Sequence, residues 1–297
     1  MKGLIIINPY KIPYNSVIQA ERLSKEFRSF GVEVDFVTDG YTLCHVDGNK
    51  NLTLKNPVDF IIYLDKDKYL SAMLEKCGAR LFNSHNAIRI CDDKGDTYIA
   101  LSNSGVNMPK TIFAPVCYKD SANTDKDFIE YITSKLNFPI VVKESYGSMG
   151  KGVYLAKDKG ELISLYNALK TKPHLYQNHV GKSHGIDIRV IVIGKKAVAI
   201  MKRENLTDFR SNVGLGGKGY PLDINDKTLA PFIATAEKVA DIINLDYCGV
   251  DLLIDDNGAP VVCEVNSNAF FMEMESATGI NVASLYAKHV IDSVNKL

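Results

Sequence analysis

The chain has 297 residues, 46% of them hydrophobic and 24% charged, with 35 basic and 35 acidic side chains and a formal net charge of 0. At roughly 100–200 residues per domain, this composition predicts a soluble globular protein of two domains. The balanced charge excludes a global field that would draw it to nucleic acid or to an anionic membrane, and neither is expected as a partner.

Leu4 to Ile7 predicts a first strand, an apolar run too short for a signal peptide or a membrane span. Ser16-x-x-Gln19 reads as a capping box opening a helix whose apolar face is Val17, Ala20, Leu23, Phe27 and Phe30. Gly31 stops it, and Val32 to Val37 returns as an alternating strand. Phe60 to Leu64 and a helix around Tyr69 to Cys77 continue the alternation. Residues 1–92 are therefore expected to form an α/β N-terminal lobe on a small parallel sheet. Its first turn has no G-x-G-x-x-G, so it is not read as a dinucleotide site.

A helical stretch opens at Ser84, and the charged point Asp92-Asp93-Lys94 precedes Thr97 to Leu101. Asn103-Ser104-Gly105 ends that segment, Pro109 sets an extended exit, and Tyr118 to Asp127 is expected to be a polar connection. Strands then come in close succession at Pro139–Lys143, Val153–Leu155, Leu175–Asn178, Asp187–Ile193 and Ala197–Met201, with helices around Glu161–Leu169 and Pro231–Ile243. This predicts an α+β region of antiparallel sheets with helices packed on one side. The six cysteines contain no C-x-x-C pair and lie mostly in apolar segments, so they are expected to be reduced and buried in a cytoplasmic protein. The six histidines show neither H-E-x-x-H nor zinc spacing and receive no metal or base role.

Three stretches carry chemistry. Lys143 ends an apolar strand, where a lysine is costly to bury without an anion, and Gly147-Ser148-Met149-Gly150-Lys151-Gly152 follows it. Without Cβ atoms such a loop can cradle phosphates, or it is a mobile turn; it is neither Walker A nor Rossmann, because a strand follows. A cationic series comes next: Arg189, Lys202, Arg203 and Arg210. Lys202 is read as a solvated salt-bridge residue, and Arg210 equally as an anion binder or a solvated charge. Finally, Gly249-Val250-Asp251-Leu252-Leu253-Ile254 and Pro260-Val261-Val262-Cys263-Glu264-Val265-Asn266 make a hairpin around the turn at residues 255–258. The strand period of two puts Glu264 and Asn266 on one face. If the register brings Asp251 there too, the result is an all-oxygen site for Mg²⁺; the other reading is a solvated edge strand.

The order of these features resembles the ATP-grasp carboxylate–amine ligases of the RimK type, the alpha-L-glutamate ligase-like enzymes. The resemblance runs through Lys94, Lys143 with the glycine loop, Gln177-Asn178-His179-Val180, Gly185-x-Asp187-Ile188-Arg189, Asp208-Phe209-Arg210-Ser211-Asn212, Gly249-Val250-Asp251, Glu264-Val265-Asn266 and Thr278-Gly279. It covers about two hundred residues, a domain-sized span. It implies an ATP-grasp domain over 93–297, with a lid lobe at 93–180 and a metal-binding lobe at 181–297.

The resemblance further implies that Lys94, Lys143, Gly147, Ser148, Gly150 and Gly152 meet ATP phosphates. It implies that Gln177 to Val180 hold adenine through the backbone and that Asp187 and Ser211 belong to the nucleotide site. Arg210 and Asn212, with Arg189, would face the terminal phosphate and the reacting carboxylate. Asp251, Glu264 and Asn266 would hold two Mg²⁺ ions, with Mn²⁺ as the alternative metal. The activity implied is ATP-dependent amide formation through an acyl phosphate, between an amino-acid carboxylate and an amine on a small molecule, peptide or protein terminus. A non-catalytic ATP-binding module is the alternative, and a homo-oligomer is left open.

Two departures from the family pattern stand out. Asn178 replaces a hinge Glu, and Asn268-Ala269-Phe270-Phe271 with Glu273 replaces a turn of small residues. The two rings are expected either to narrow an acceptor channel, with Glu273 or Glu275 holding the ammonium end, or to be core.

Overall fold

The computed structural model describes residues 1–10, 14–46, 48, 52–54, 57–211 and 216–296. The first lobe runs β1 (Lys2–Ile6), α1 (Tyr14–Ser29), β2 (Glu33–Val37), a small hairpin of β3 (Cys44–Val46) and β4 (Leu52–Leu54), β5 (Phe60–Tyr63), α2 (Lys68–Lys76) and β6 (Leu81–Phe82). Its four-stranded sheet is parallel, in the order β2-β1-β5-β6. All four residues of β5 are buried, as a central parallel strand covered on both faces requires.

The helix start differs from expectation. α1 begins at Tyr14, so Ser16 and Gln19 lie inside it and form no capping box. Gln19 is fully buried instead, and its Nε2 donates to the Ala269 carbonyl at 3.3 Å. Ala20, Leu23 and Phe27 form the buried stripe, whereas Phe30 lies past the helix and is 45% exposed.

The chain then enters α3 (His85–Asp92) and α4 (Lys94–Leu101). Ser84 Oγ accepts from Ala87 N at 3.3 Å, and the Asp93 carboxylate accepts from Gly95 N at 2.7 Å, so each helix has a side-chain N-cap. The second lobe follows: β7 (Thr111–Phe113), α5 (Lys126–Lys135), β8 (Ile140–Glu144), β9 (Val153–Ala156), α6 (Lys159–Leu169) and β10 (His174–Asn178). Its antiparallel sheet has the order β7-β10-β8-β9, and α5 and α6 pack on one face through Ile129, Ile132, Leu162 and Tyr166. The connection expected over Tyr118–Asp127 gives way at Lys126 to α5, which Asp125 caps.

The third lobe comprises β11 (Ile186–Ile193), β12 (Lys196–Glu204), β13 (Lys218–Pro221), α7 (Ala230–Ile243), β14 (Tyr247–Ile254), β15 (Pro260–Asn266), α8 (Met272–Thr278) and α9 (Val282–Asn295). Its antiparallel sheet has the order β13-β12-β11-β14-β15. The expected parallel lobe followed by two antiparallel ones is thus present.

The cores set how the lobes associate. Ala87, Cys91 and Leu101 of α3 and α4 join Phe232 and Val239 of α7 over Val190, Val250 and Leu252. Both helices therefore belong with the third lobe, and a boundary at 93 falls between two elements of one core. The opposite face of the same sheet shares a core with the first lobe, where Ile5, Phe27, Phe60 and Phe82 meet Tyr247, Phe271 and Tyr286. Buried Asn83 ties them further, donating to the carbonyls of Tyr247 and Ser267 and accepting from Asp246 N, each at 2.7 Å. Among the described residues no helix is long and apolar enough to cross a membrane.

Candidate active site

A cleft of about 820 Å³ opens between the second and third lobes. At one end, the turn from β8 to β9 takes positive φ at Gly147, Met149, Gly150 and Gly152. Gly152 has φ +72° and its absent Cβ would meet Glu144 at 3.1 Å, so glycine is required there. Lys94 Nζ donates to the Gly147 carbonyl at 2.9 Å, which ties the loop to α4.

Two lysines sit under that loop. Lys94 and Lys143 are each 7% exposed. Burial pushes Lys94 below the usual lysine range, Glu264 at 3.9 Å opposes this, and repulsion from Lys143 reinforces it. Lys143 lies over the Tyr98 ring, 6.0 Å from its centroid, with its Nζ 3.7 Å from Cys263 Sγ. Burial pushes both the Tyr98 phenol and the Cys263 thiol up, so both are neutral near pH 7 and Glu264 is the anion acting on Lys143. Two buried cations thus share one carboxylate, an excess of positive charge that suits an anionic ligand.

At the hinge, Asn178 N donates to the Lys110 carbonyl at 3.1 Å. Gln177 turns inward, donating to Thr111 Oγ1 at 2.8 Å, and Asn178 Oδ1 accepts from Asn137 N at 3.2 Å on the far side. His179 packs edge-on to His184, and burial lowers its pKa, with His184 adding to the effect.

A charge network floors the other end. The register sets Asp187 opposite Arg203, Arg189 opposite Asp251, and Asp251 opposite Glu264. Arg203, 3% exposed, donates from Nε to Asp187 Oδ1 at 2.7 Å and contacts Asp251 Oδ2 through Nη2 at 2.9 Å. Arg189 grips both Asp251 oxygens at 2.7 Å. Burial alone would raise the Asp251 pKa, but the two guanidinium groups hold it below the usual carboxylate range. Ser211 Oγ donates to Asp187 Oδ2 at 2.5 Å. Asn266 Nδ2 approaches Asp251 Oδ2 at 3.4 Å, so Asp251, Glu264 and Asn266 do meet on one face, with both Asp251 oxygens engaged by arginines. Among the described residues no three carboxylate, thiolate or imidazole groups converge; the third oxygen here is an amide.

Of the residues singled out from sequence, Lys94, Lys143, Gly147, Ser148, Gly150, Gln177 to Val180, Asp187, Arg210, Ser211, Asp251 and Glu264 all line this cleft. Gly152, Arg189 and Asn266 are not among the lining residues, and Asn212 lies outside the described residues. Arg210 is held by Asp208 (Nη2–Oδ2 2.7 Å) and reaches across to the Gly150 carbonyl at 2.7 Å, linking the two lobes. Lys202 pairs with Glu204 at 3.1 Å, the salt bridge expected of it.

The sequence reading placed Arg203 in the cationic series without a role in the site, and gave none to Cys263. It ended the strand at Met201, whereas β12 continues to Glu204 and carries Arg203 inward. Phe271 is fully buried core and cannot shape a channel; Phe270 is half-buried.

The sequence profile of the RimK-like ATP-grasp domain matches residues 91–292. N-acetylaspartylglutamate synthase A of Homo sapiens is 37% identical over 234 residues, 76% of this chain and 56% of that protein. A probable alpha-L-glutamate ligase of Halorhodospira halophila is 35% identical over 73% of this chain and 68% of its own. The chain spans about half the length of the first curated relatives it matches. Among solved structures, D-alanine–D-alanine ligase from Bacillus anthracis complexed with ATP superposes with a TM-score of 0.73, covering 100% of this chain and 98% of that one. At 18% identity that likeness is one of fold.

Proposed function

This chain belongs to the RimK-like ATP-grasp family, and we propose that it is an ADP-forming ligase joining an amino-acid carboxylate to an amine. In the reaction a carboxylate oxygen attacks the terminal phosphorus of ATP and ADP leaves. The amine nitrogen then attacks the acyl carbon of the acyl phosphate, phosphate departs, and the nitrogen loses a proton to give the amide. Such chemistry needs positioning and charge neutralisation more than a nucleophile from the protein.

The observation that carries this reading is the pair of buried lysines, Lys94 and Lys143, sharing Glu264 beneath a glycine loop. They neutralise phosphate oxygens, and the loop backbone N–H groups of Gly147 to Gly152 cradle them. The hinge backbone at Gln177 to Val180 meets the adenine edge. Asp187 and Ser211 frame the nucleotide as one hydrogen-bonded unit with Arg203. Arg210, with Asn212, guards the terminal phosphate, and Arg189 orients Asp251.

Asp251, Glu264 and the Asn266 amide oxygen would hold Mg²⁺, as two ions or with Mn²⁺ in its place, the metal then sharing Asp251 with Arg189 and Arg203. When bound, the metal supplies charge neutralisation at the phosphates.

The test is ADP release by the wild-type protein with ATP, Mg²⁺ and a panel of carboxylates. Release should depend on a carboxylate and accelerate when an amine consumes the intermediate. ATP turnover indifferent to every carboxylate would refute the reading.

A further inference from the structure

Two of the six cysteines come together in the first lobe. Cys44 Sγ, in β3, and Cys77 Sγ, at the C-cap of α2, lie 3.1 Å apart, so that one thiol donates to the other. All six cysteines are free, and among the described residues no other two are in hydrogen-bonding contact. Cys44 is 2% exposed and belongs to the smaller core formed with Ile6, Ile61, Tyr63, Leu70 and Leu74. Strand alternation sets this core on the face of the parallel sheet opposite the one shared with the third lobe, since Ile5, Phe60 and Ile62 point to the other. Cys77 packs at the rim of the same core and is partly exposed, between the exposed Lys76 and Gly78. A small reagent therefore reaches Cys77 from solvent, and reaches Cys44 only through it.

We propose that Cys44 and Cys77 are a reversible modification site, at which a small-molecule disulfide such as oxidised glutathione converts the two thiols to a disulfide that ties β3 to α2. Cys77, as thiolate, attacks one sulfur of the reagent, and the other half leaves as a thiolate that takes up the proton Cys77 lost. Cys44 then gives up its proton and attacks Cys77 Sγ in the mixed disulfide, and the second glutathione leaves with that proton. Two protein thiols are oxidised, and one oxidised glutathione is reduced to two of its thiols. The protein sulfurs have only about 1 Å to close before reaching the ~2.05 Å bond. The chemistry needs nothing from the ATP cleft.

The environment of each sulfur sets how the bond is made and kept. Burial, with the neighbouring Cys77 adding to it, pushes the Cys44 thiol up to about 11, so the second step is slow but intramolecular. In the reverse direction a reducing thiol finds Cys44 shielded. It must attack Cys77 Sγ and expel the Cys44 thiolate, a poor leaving group at that pKa, so the bond persists once formed. Its consequence is mechanical. The β3–β4 hairpin packs on α2, and α2 in turn holds the start of α3: Glu75 Oε1 accepts from His85 N at 2.8 Å, and Ser71 Oγ lies 2.9 Å from His85 Nδ1. The disulfide fastens the outer hairpin to the helix on which α3 rests.

Peptide mapping of the full chain tests it. The reduced protein, freed of reductant, is incubated with oxidised glutathione in mildly alkaline buffer, its remaining thiols are capped with N-ethylmaleimide in denaturant, and the unreduced digest is read by mass spectrometry. The wild type should yield a Cys44–Cys77 cross-linked peptide that dithiothreitol abolishes. Its unfolding midpoint should rise by roughly 7 °C over that of the reduced protein, as closure of a loop between residues 33 apart predicts. Cys44→Ala should instead stop at a glutathione adduct on Cys77 and show no such rise. A wild type in which both thiols end capped by maleimide, one that stops at the adduct, or a cross-link that forms only in urea overturns the proposal.

Discussion

Replacing Arg203 by Met keeps the length and most of the volume of the side chain but removes the guanidinium from between two carboxylates. Removing one partner of a buried ion pair costs about 3–5 kcal/mol, because the other charge is left uncompensated. Here Asp251 keeps both bonds from Arg189, so the loss falls on Asp187, which retains only the Ser211 hydroxyl. The low end, about 3 kcal/mol, is therefore expected. At about 2 °C per kcal/mol for a chain of this size, the unfolding midpoint should drop by roughly 6 °C. Scanning calorimetry of the metal-free protein measures the drop, and Asp187→Asn in the same background identifies its cause. With the orphaned charge gone, the double variant should recover most of the lost stability, a coupling of roughly 2 kcal/mol in a double-mutant cycle. An Arg203→Met protein as stable as the wild type, or a double variant no better than the single one, would refute the assignment of Arg203 as the counter-ion of Asp187.

Two further outcomes follow from the same geometry. Glu264→Gln should lower turnover by on the order of a hundredfold, as loss of one preorganised electrostatic group does, and should lower the unfolding midpoint too, because Lys94 and Lys143 lose the carboxylate they share; ordinary activity at low Mg²⁺ would remove Glu264 from the metal set. At the joint between the first and third lobes, the hydrogen bond from Arg22 holds the Glu26 carboxyl below the usual range, against the opposing effect of burial. A depressed folded pKa means stability that is complete above the unfolded value near ~4.3 and lost as pH falls through the folded one. Arg22→Gln should cost roughly 2 kcal/mol at pH 7. The gap in urea midpoint between wild type and variant should narrow as pH falls from about 5 toward 3, and a gap independent of pH would be the wrong result.

Much of the site was legible because charge in an apolar strand is conspicuous. Lys143, Asp251 and Glu264 interrupt runs of Val, Ile and Leu, and period two places Glu264 and Asn266 together before any coordinates exist. Arg203 stood in the cationic series, but nothing local set it apart from Lys202. Beside Lys202 and Glu204 it reads as one more polar residue ending a strand, yet alternation sends Lys202 to Glu204 and Arg203 inward to Asp187. Only the pairing of β11 with β12, a long-range fact, separates the two. The opposite failure occurred at α5, where the signal was present: Asp125 as cap, with Phe128, Ile129 and Ile132 at helical spacing. At α1 the Ser16…Gln19 pattern misled because Gln19 serves the contact with Ala269, a partner 250 residues away. Phe271 was ambiguous for a related reason, since its burial depends on the first lobe packing against α9.

The charges also have an order along the site. Under the glycine loop, Lys94 and Lys143 face the single carboxylate of Glu264, leaving a positive excess. Across the register from Glu264 comes Asp251, balanced by Arg189 and Arg203, and Arg203 balances Asp187 in turn, so this middle stretch is two carboxylates against two guanidinium groups. The order of charges is therefore a positive end under the glycine loop followed by a balanced stretch. A nucleotide triphosphate is drawn to the first, and in the second a substrate carboxylate can approach the terminal phosphate without facing a net negative field.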